Sequence, residues 1–227
     1  MTKSIKAYGL LGILIILAGA GIAVTVKADV GVGPWDAMSL TFSYLTGLKI
    51  GTLGIIFNFI CLIGQKILLG KDFKNSSIWQ IVVSILLGIA INFFAYTAFK
   101  NLVFPNYIIR LTASITSTVF LAAVIGAIVV LGITSFALEG FCSAVHRKTG
   151  IPFGKFRQWV DFFCVTVSII LTFIFSLKWS LREGTIISML LFGPLMGIFM
   201  PKIEKMFEKW GIVDGKSELE KEIEEME

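Results

Sequence analysis

Long runs of apolar residues dominate this chain and alternate with short polar breaks. Each run has about the 20 residues that an α-helix needs to cross a bilayer core roughly 30 Å thick. The first run ends without the small-residue pattern of a cleavage site, so we expect it to stay as a span rather than to be removed as a signal peptide. The pattern predicts six transmembrane helices, over residues 7–27, 51–69, 77–98, 113–137, 158–177 and 184–200.

Two further segments have a helical pattern but are too short to span a membrane. In residues 34–46, Pro34 suits the first helical turn and Gly47 suits the left-handed position that stops a helix. Residues 139–148 form the second segment, and we predict a half-helix or re-entrant segment at both places. The residues assigned to structural turns around them are Gly33, Pro34, Gly47, Gly51, Gly150 and Gly154.

The two halves of the chain repeat each other at an offset of 103 residues. A Thr-Gly-x-x-x-Gly stretch at 46–51 matches a second one at 149–154. An apolar composition alone would not align these turns and several polar residues without a gap, so we infer a duplicated unit. The aligned polar pairs are Asp36 with Glu139, and Asn58 with Asp161.

Composition and charge agree with a polytopic membrane protein. Hydrophobic residues make up 56% of the chain, charged residues 15%, and the mean hydropathy is +0.87. Most Lys and Arg residues lie in short loops, so the basic pI does not support nucleic-acid binding. Fourteen of the 20 lie on the side of the N-terminus and six on the opposite side. Because positive residues accumulate in cytoplasmic loops, we expect both termini inside the bacterial plasma membrane.

Three spans per repeat is an odd number, so the second copy should enter the bilayer from the opposite face. The predicted fold is therefore an all-α polytopic membrane protein with two inverted three-helix repeats, residues 1–98 and 99–201, in contact with membrane lipid. Residues 202–227 form a cytoplasmic tail that is acidic at its end. At its start, Met206, Phe207 and Trp210 are expected to lie along the membrane surface. The oligomeric state is left open.

Ionisable and polar residues within the apolar segments are the candidates for function, because they are costly at membrane depth and usually line a cavity. In the first half-helix, Asp36 and Ser39 share one face at a spacing of i, i+3. The equivalent face of the second copy carries Glu139 and His146. The predicted substrate-binding or proton-binding residues are Asp36, Glu139, Asn58, Asp161, Ser39 and His146.

Four of the candidates also have a purely structural explanation. Asp36 would satisfy first-turn N–H groups and the positive end of the helix dipole. Asn58 would form an interhelical hydrogen bond. Asp161 would pair with Arg157 four residues earlier. His146 would be a solvated loop residue beside the cytoplasmic face.

Other chemistries have little support in the sequence. The G-x-S-x-G, H-E-x-x-H and Walker A patterns of common hydrolases, zinc proteases and ATPases are missing. Cys61, Cys142 and Cys164 lack a C-x-x-C spacing, which argues against a disulfide framework or a zinc site. We expect no enzyme activity, no cofactor and no metal ion.

The stretch Val30-Gly-Val-Gly-Pro-Trp-Asp-Ala-Met, followed by Thr46-Gly47 and Gly51-Thr52, resembles the YczE/YyaS/YitT group of bacterial integral membrane proteins. The second Thr-Gly-x-x-x-Gly stretch, with Trp159 and Asp161, supports the resemblance, which extends to about residue 201. It implies a membrane location and this topology, but neither a substrate nor a catalytic residue. The acidic tail departs from the group.

Two functions are compatible with these patterns. Inverted repeats with interrupted helices are typical of secondary transporters. Alternating access around Asp36, Glu139, Asn58 and Asp161 would move a small solute or lipid-like molecule. Acidic side chains favour a cationic or zwitterionic substrate, or coupling to protons. The alternative is a non-transporting membrane partner that stabilises or localises another complex.

Overall fold

The computed structural model describes residues 5–73 and 78–213, and this part of the chain is helical apart from its turns. A 3₁₀ turn at Gly70–Asp72 follows the third helix, and a π-helical turn at Phe94–Ala98 follows the fourth. The helices are α1 (Ile5–Ala28), α2 (Pro34–Thr46), α3 (Ile50–Leu69), α4 (Ile78–Phe93), α5 (Tyr107–Leu131), α6 (Ala137–Thr149), α7 (Phe153–Ile174) and α8 (Glu183–Lys209).

Six of the described helices are long and apolar enough to cross a membrane: α1, α3, α4, α5, α7 and α8. These are the six spans that the hydropathy pattern predicts. The other two, α2 and α6, have 13 residues each. At 1.5 Å per residue they are about 20 Å long, too short to cross the bilayer core.

The short helices end as the sequence predicts. Gly47 and Gly150 both adopt the left-handed conformation, with φ of 76° and 74°, and their N–H groups bond to carbonyls in the last turn. Pro34 opens α2 directly after Gly33. Gly51 and Gly154 differ from the prediction, since they lie within the first turns of α3 and α7 and not in turns between helices. Each helix begins one residue before its glycine, at Ile50 and Phe153, because the preceding residue is in an extended conformation and acts as the N-cap.

The fourth predicted span, 113–137, is wrong at both ends. The helix α5 begins at Tyr107, because the side chain of Asn106 accepts a hydrogen bond of 2.9 Å from the N–H of Ile109. It ends at Leu131, because Gly132 turns the chain with a left-handed φ of 54°. Hydropathy does not register this turn, since the residues on both sides of it are uncharged.

The last span also differs from its prediction. The helix α8 contains Pro194 and Pro201 and ends at Lys209, beyond the predicted end at residue 200. Phe207, expected at the membrane surface, is only 2% exposed and packs into the core beside α1 and α5. The acidic end of the tail, residues 214–227, lies outside the described residues.

The two halves share helix limits at the offset found in the sequence. The helices α1 and α5 end at residues 28 and 131, α2 and α6 cover 34–46 and 137–149, and α3 and α7 begin at 50 and 153. Asp29 and Gly132 both have left-handed φ values, of 52° and 54°. The threonines before the two stop glycines each donate to the carbonyl four residues back, at 2.7 and 2.8 Å. The duplicated sequence therefore carries duplicated local structure.

Helix packing divides the described chain into two groups that do not follow its two halves. The helices α1, α4, α5 and α8 pack on one another and are called the α1 group below, while α2, α3, α6 and α7 form the α2 group. Each group contains two helices from each half. The groups are joined along α3 and α4, whereas α7 and α8, the pair at equivalent positions, are barely in contact.

The backbones of α3 and α4 approach closely where the two groups are joined. This contact is called the α3–α4 seam below, and the equivalent place between α7 and α8 is called the α7–α8 seam. A Cβ atom added to Gly88 of α4 would lie 2.5 Å from the carbonyl oxygen of Gly51 in α3. Beside this contact, the side chain of Asn92 accepts from the N–H of Gly51 at 2.9 Å and donates to Thr52 at 3.0 Å. In α7, a Cβ atom on Gly154, the equivalent of Gly51, would meet nothing within 4 Å. The α3–α4 seam is thus closed, whereas the α7–α8 seam is open. Gly88 and Asn92, which close the first seam, correspond to Leu191 and Leu195 in the second half.

Replacing Gly88 by Ala should lower the free energy of unfolding by about 1–3 kcal/mol, the usual cost of overpacking a tight contact. The control is Gly54→Ala in α3, where an added Cβ meets nothing within 4 Å. That substitution should be neutral or stabilise by up to about 1 kcal/mol, since Ala is the better helix former. Unfolding titrations in detergent micelles measure both values. Equal effects of the two substitutions would contradict the described seam.

Candidate functional site

A cavity of about 930 Å³ lies between the α1 group and the α2 group. This volume lies within the range of small-molecule sites. Its wall on the side of the α2 group is polar and charged, with contributions from all four helices of that group. The residues that form this polar wall include Asp36, Asn58, Gln65, Glu139, Arg157 and Asp161.

The facing wall, from the α1 group, is mostly apolar. The helices α5 and α8 supply most of its side chains, and α4 adds the amide of Gln80. Three hydroxyl groups, from Thr25, Thr118 and Ser188, interrupt the apolar surface. Apolar residues of this wall include Ile22, Leu121, Ile125, Phe192 and Met196. The cavity is therefore two-faced, with charge on one side and hydrocarbon on the other.

The short helices α2 and α6 both present their first turns to this cavity. Gly33, Pro34, Trp35 and Asp36 line it from α2 and the residue before it, and Phe136 to Gly140 line it from α6 with the exception of Ala137. No side chain caps either helix at its N-cap residue, Gly33 or Phe136. The positive ends of two helix dipoles thus meet polar space at the cavity surface.

Asp36 and Glu139 occupy the first turns of these two helices. Within the described chain, neither carboxylate accepts a hydrogen bond from a first-turn N–H group. The structural explanation by N–H capping therefore does not account for them. Their charges still lie beside the positive helix ends, which stabilises the ionised carboxylates.

Arg157 of α7 is the cation at the centre of the charged wall. Its Nη1 atom pairs with Asp161 Oδ1, the i, i+4 pair that the sequence suggests, and its Nε atom lies 3.9 Å from Glu139 Oε1. The second carboxylate oxygen of Glu139, Oε2, is buried and has no hydrogen-bond partner in the described part of the chain. One guanidinium group therefore faces more negative charge than it can neutralise.

An amide network behind the charged wall fixes the start of α6. The side chain of Gln65 donates to Gln80 and to the carbonyl of Ala137, both at 2.9 Å, and Gln80 donates to Ser135 at 3.1 Å. Gly140 leaves room for both amides, since a Cβ atom there would lie 2.8 Å from the oxygen of Gln65. Sequence reasoning missed both glutamines. Their signal was available, because an amide within an apolar helix needs an internal partner.

Four of the six predicted site residues meet in the cavity, namely Asp36, Asn58, Glu139 and Asp161. Asn58 is 9% exposed and forms no hydrogen bond with another described residue, so its amide is available to the cavity. The remaining two, Ser39 and His146, are not among the lining residues.

Local hydrogen bonds explain why Ser39 and His146 lie apart from the others. Ser39 is buried and donates at 3.1 Å to the carbonyl of Trp35, one turn earlier in its own helix. His146 donates through Nδ1 to the carbonyl of Ile151 at 2.8 Å, just beyond the end of α6. In the first half, Ser43 donates to Leu48 at the equivalent positions, at 2.5 Å. Ser39 is therefore satisfied within its own helix, whereas His146 and Ser43 fix equivalent turns after α6 and α2.

The fold and the cavity together define a multi-pass, all-helical membrane protein with a charged internal cavity. The chain belongs to DUF6198, a family of unknown function, whose model matches residues 5–201. It is 24% identical over 204 residues to the uncharacterized protein YyaS of Bacillus subtilis (strain 168), covering 88% of this chain and 95% of that protein. These matches confirm the resemblance seen in the sequence. No solved structure matches the chain.

Removal of the central cation should destabilise the protein. Arg157→Gln leaves Asp161 and Glu139 without their partner, and for a half-buried cluster we expect the free energy of unfolding to fall by about 1–3 kcal/mol. The double variant Arg157→Gln/Asp161→Asn should recover at least half of this loss, because it also removes one unpaired charge. Unfolding titrations in micelles measure the difference.

The matched control is Lys148→Gln, which removes an exposed cation at the end of α6. Its effect should stay within about 0.5 kcal/mol, as for most surface substitutions. An Arg157→Gln variant as stable as this control would show that the ion cluster contributes nothing to the fold.

Proposed function

We propose that the protein moves a small organic cation across the bacterial plasma membrane by alternating access. The observation that carries this proposal is the two-faced cavity of about 930 Å³ between the two helix groups. A cavity with a charged wall and an apolar wall suits a molecule that has both a cationic group and a hydrocarbon part.

The charge of the site favours a monovalent cation. Each inward-facing helix start contributes about half a positive charge, so α2 and α6 together offset about one carboxylate. Arg157 offsets a second of the three carboxylates of the polar wall, Asp36, Glu139 and Asp161. The two other charged residues of the lining, Asp72 and Arg147, have opposite charges that cancel. The wall keeps a deficit of about one positive charge when all three are ionised. A bound cationic group or a proton would supply that charge beside Glu139, whose Oε2 atom has no hydrogen-bond partner among the described residues.

The apolar wall and the side opening favour a substrate with a hydrocarbon body. Leu121, Ile125 and Phe192 face the charged groups across the cavity. The helices α7 and α8 both line the cavity but barely touch, so their separation lets a lipid-dissolved molecule approach from the side. This arrangement supports an amphipathic cation over a fully hydrophilic one.

Inverted repeats supply the motion in this proposal. If the second half repeats the first with opposite orientation, each repeat can adopt the conformation of the other, which exchanges the open and closed ends. The described conformation, with the α3–α4 seam closed and the α7–α8 seam open, is then one of two states that differ by exchange of the repeat conformations. Exchange would part α3 from α4 near Gly51 and bring α7 onto α8 near Gly154.

The distribution of Lys and Arg residues indicates the side of the membrane to which the cavity opens. Leu69, Asp72, Arg147 and Met200 line the cavity toward the end of the bundle where Gly132 lies. Fourteen of the 20 Lys and Arg residues belong to the side of the N-terminus, which is the same end. By the positive-inside rule this end is cytoplasmic, so the described conformation is open to the cytoplasm.

Substitutions that remove one charge without changing shape test the proposal. Purified protein in liposomes should take up ethidium, a fluorescent amphipathic monocation, in a saturable manner. Glu139→Gln and Asp36→Asn should each reduce uptake about tenfold or more, since a contact with a charged partner contributes about 1.5–3 kcal/mol. Quenching of Trp35 fluorescence, in the cavity lining, reports binding independently of transport.

Glu208→Gln is the control, because Glu208 is exposed on α8 outside the cavity. It should transport ethidium like the unchanged protein. Full uptake in both cavity variants would remove the two carboxylates from the site. If the unchanged protein neither binds nor transports a panel of organic cations, transport fails and a non-transporting membrane partner becomes the better account.

A further inference from the structure

Asp29, directly after α1, joins three basic residues at one end of the bundle. Its Oδ2 atom lies 2.7 Å from Arg110 Nη2 and 2.8 Å from Lys178 Nζ. Its backbone carbonyl accepts hydrogen bonds from Arg110 at 2.8 Å and from Arg182 at 2.9 Å. One residue thus connects the end of α1, the start of α5 and the loop between α7 and α8.

Two backbone and hydroxyl contacts extend the same closure. The N–H of Gly184 at the start of α8 donates to the carbonyl of Val30 at 2.7 Å. The hydroxyls of Thr41 in α2 and Ser180 in the α7–α8 loop lie 2.6 Å apart. The α7–α8 loop is therefore fastened to both α1 and α2 at this end.

The backbone of Asp29 indicates that its side chain does more than form the turn. Its φ of 52° is in the left-handed region, which non-glycine residues seldom adopt and which costs free energy. At the equivalent place, the second half uses Gly132 with a φ of 54°. Glycine thus makes the same turn without strain, and Asp29 adds a carboxylate that Gly132 does not have.

We propose that Asp29 is the gate residue of the cavity, holding the outer end closed through Arg110, Lys178 and Arg182 while the Gly132 end stays open. The inference rests on the proposed alternating access, since a gate matters only if the outer end opens. In this proposal, one difference between the repeats favours one state. The ion cluster of Asp29 lies at one end of the bundle, and Gly132 lies at the other.

The test measures how fast a cavity residue reacts from outside the cell. Ser188→Cys places a reporter in the cavity, about one turn inside α8 from the closed end. Intact cells are treated with a membrane-impermeant sulfonated maleimide, and protein without the reporter gives the background from Cys61, Cys142 and Cys164, which are buried. Asp29→Gly and Asp29→Asn should each raise the labelling rate about fivefold or more, the effect of losing roughly 1 kcal/mol of closure.

Two substitutions are used because each protects the other from a folding artefact. Glycine suits the left-handed turn, as at Gly132, and asparagine tolerates it while removing the charge. The control is Glu183→Gln, which removes an exposed carboxylate at the same end, 3.5 Å from Arg182, without touching Asp29. Its labelling rate should stay within about twofold of the parent, as for a weak surface ion pair.

Added salt provides a second readout. It should speed labelling of the parent protein and leave Asp29→Gly unchanged, because salt screens the pair between Asp29 and Lys178, whose side chain is 58% exposed. Unchanged labelling in both Asp29 variants, or an equal rise in Glu183→Gln, would overturn the gate. Labelling does not require transport, so a gate that responds in a protein without ethidium uptake would separate this inference from the proposed function.

Discussion

Two short helices that begin at an internal cavity impose the main constraint on this structure. Their first N–H groups have no carbonyl partner within the helix, and hydrocarbon offers none. The starts of α2 and α6 must therefore face polar space. The cavity provides this space, and the carboxylates of Asp36 and Glu139 lie in the first turns of the two helices. Arg157 then pairs with Glu139, and Gln65 bonds the backbone at the start of α6.

Much of this arrangement follows from the sequence. Apolar runs identify the six spans, and Pro34 and Gly47 identify α2, because these features depend on local preferences and on transfer of side chains into lipid. The offset of 103 residues brings together four of the polar residues, since a repeated unit places equivalent residues at equivalent depths. The cavity was therefore predictable in its main chemistry.

The remaining features depend on packing that no local pattern reports. Ser39 and His146 resemble site residues in sequence, but each is satisfied by a nearby carbonyl. The end of α5 at Leu131 depends on the conformation of Gly132 within an apolar run. Asp29 looks like an ordinary loop acid until Arg110 and Lys178, which are distant in sequence, are placed beside it. The division into the α1 and α2 groups is likewise a property of contacts between helices.

The halves share a framework but differ in state. Gly51 is pressed against α4, whereas Gly154 at the equivalent place has open space, although both begin a helix of the same type. Such a pair of conformations on one template is what alternating access by inverted repeats requires. In the proposed alternating access, the asymmetry of Asp29 and Gly132 would decide which conformation each half adopts in the absence of substrate.

Distances between spin labels, measured by electron double resonance in liposomes, test this account most directly. One pair of labels, at Leu48 and Phe93, reports the α3–α4 seam. A second pair, at Lys155 and Ile198, reports the α7–α8 seam. All four side chains are exposed. The account predicts two populations at each seam, and ethidium should lengthen the first distance while it shortens the second. A single distance at each seam that no cation changes would contradict it.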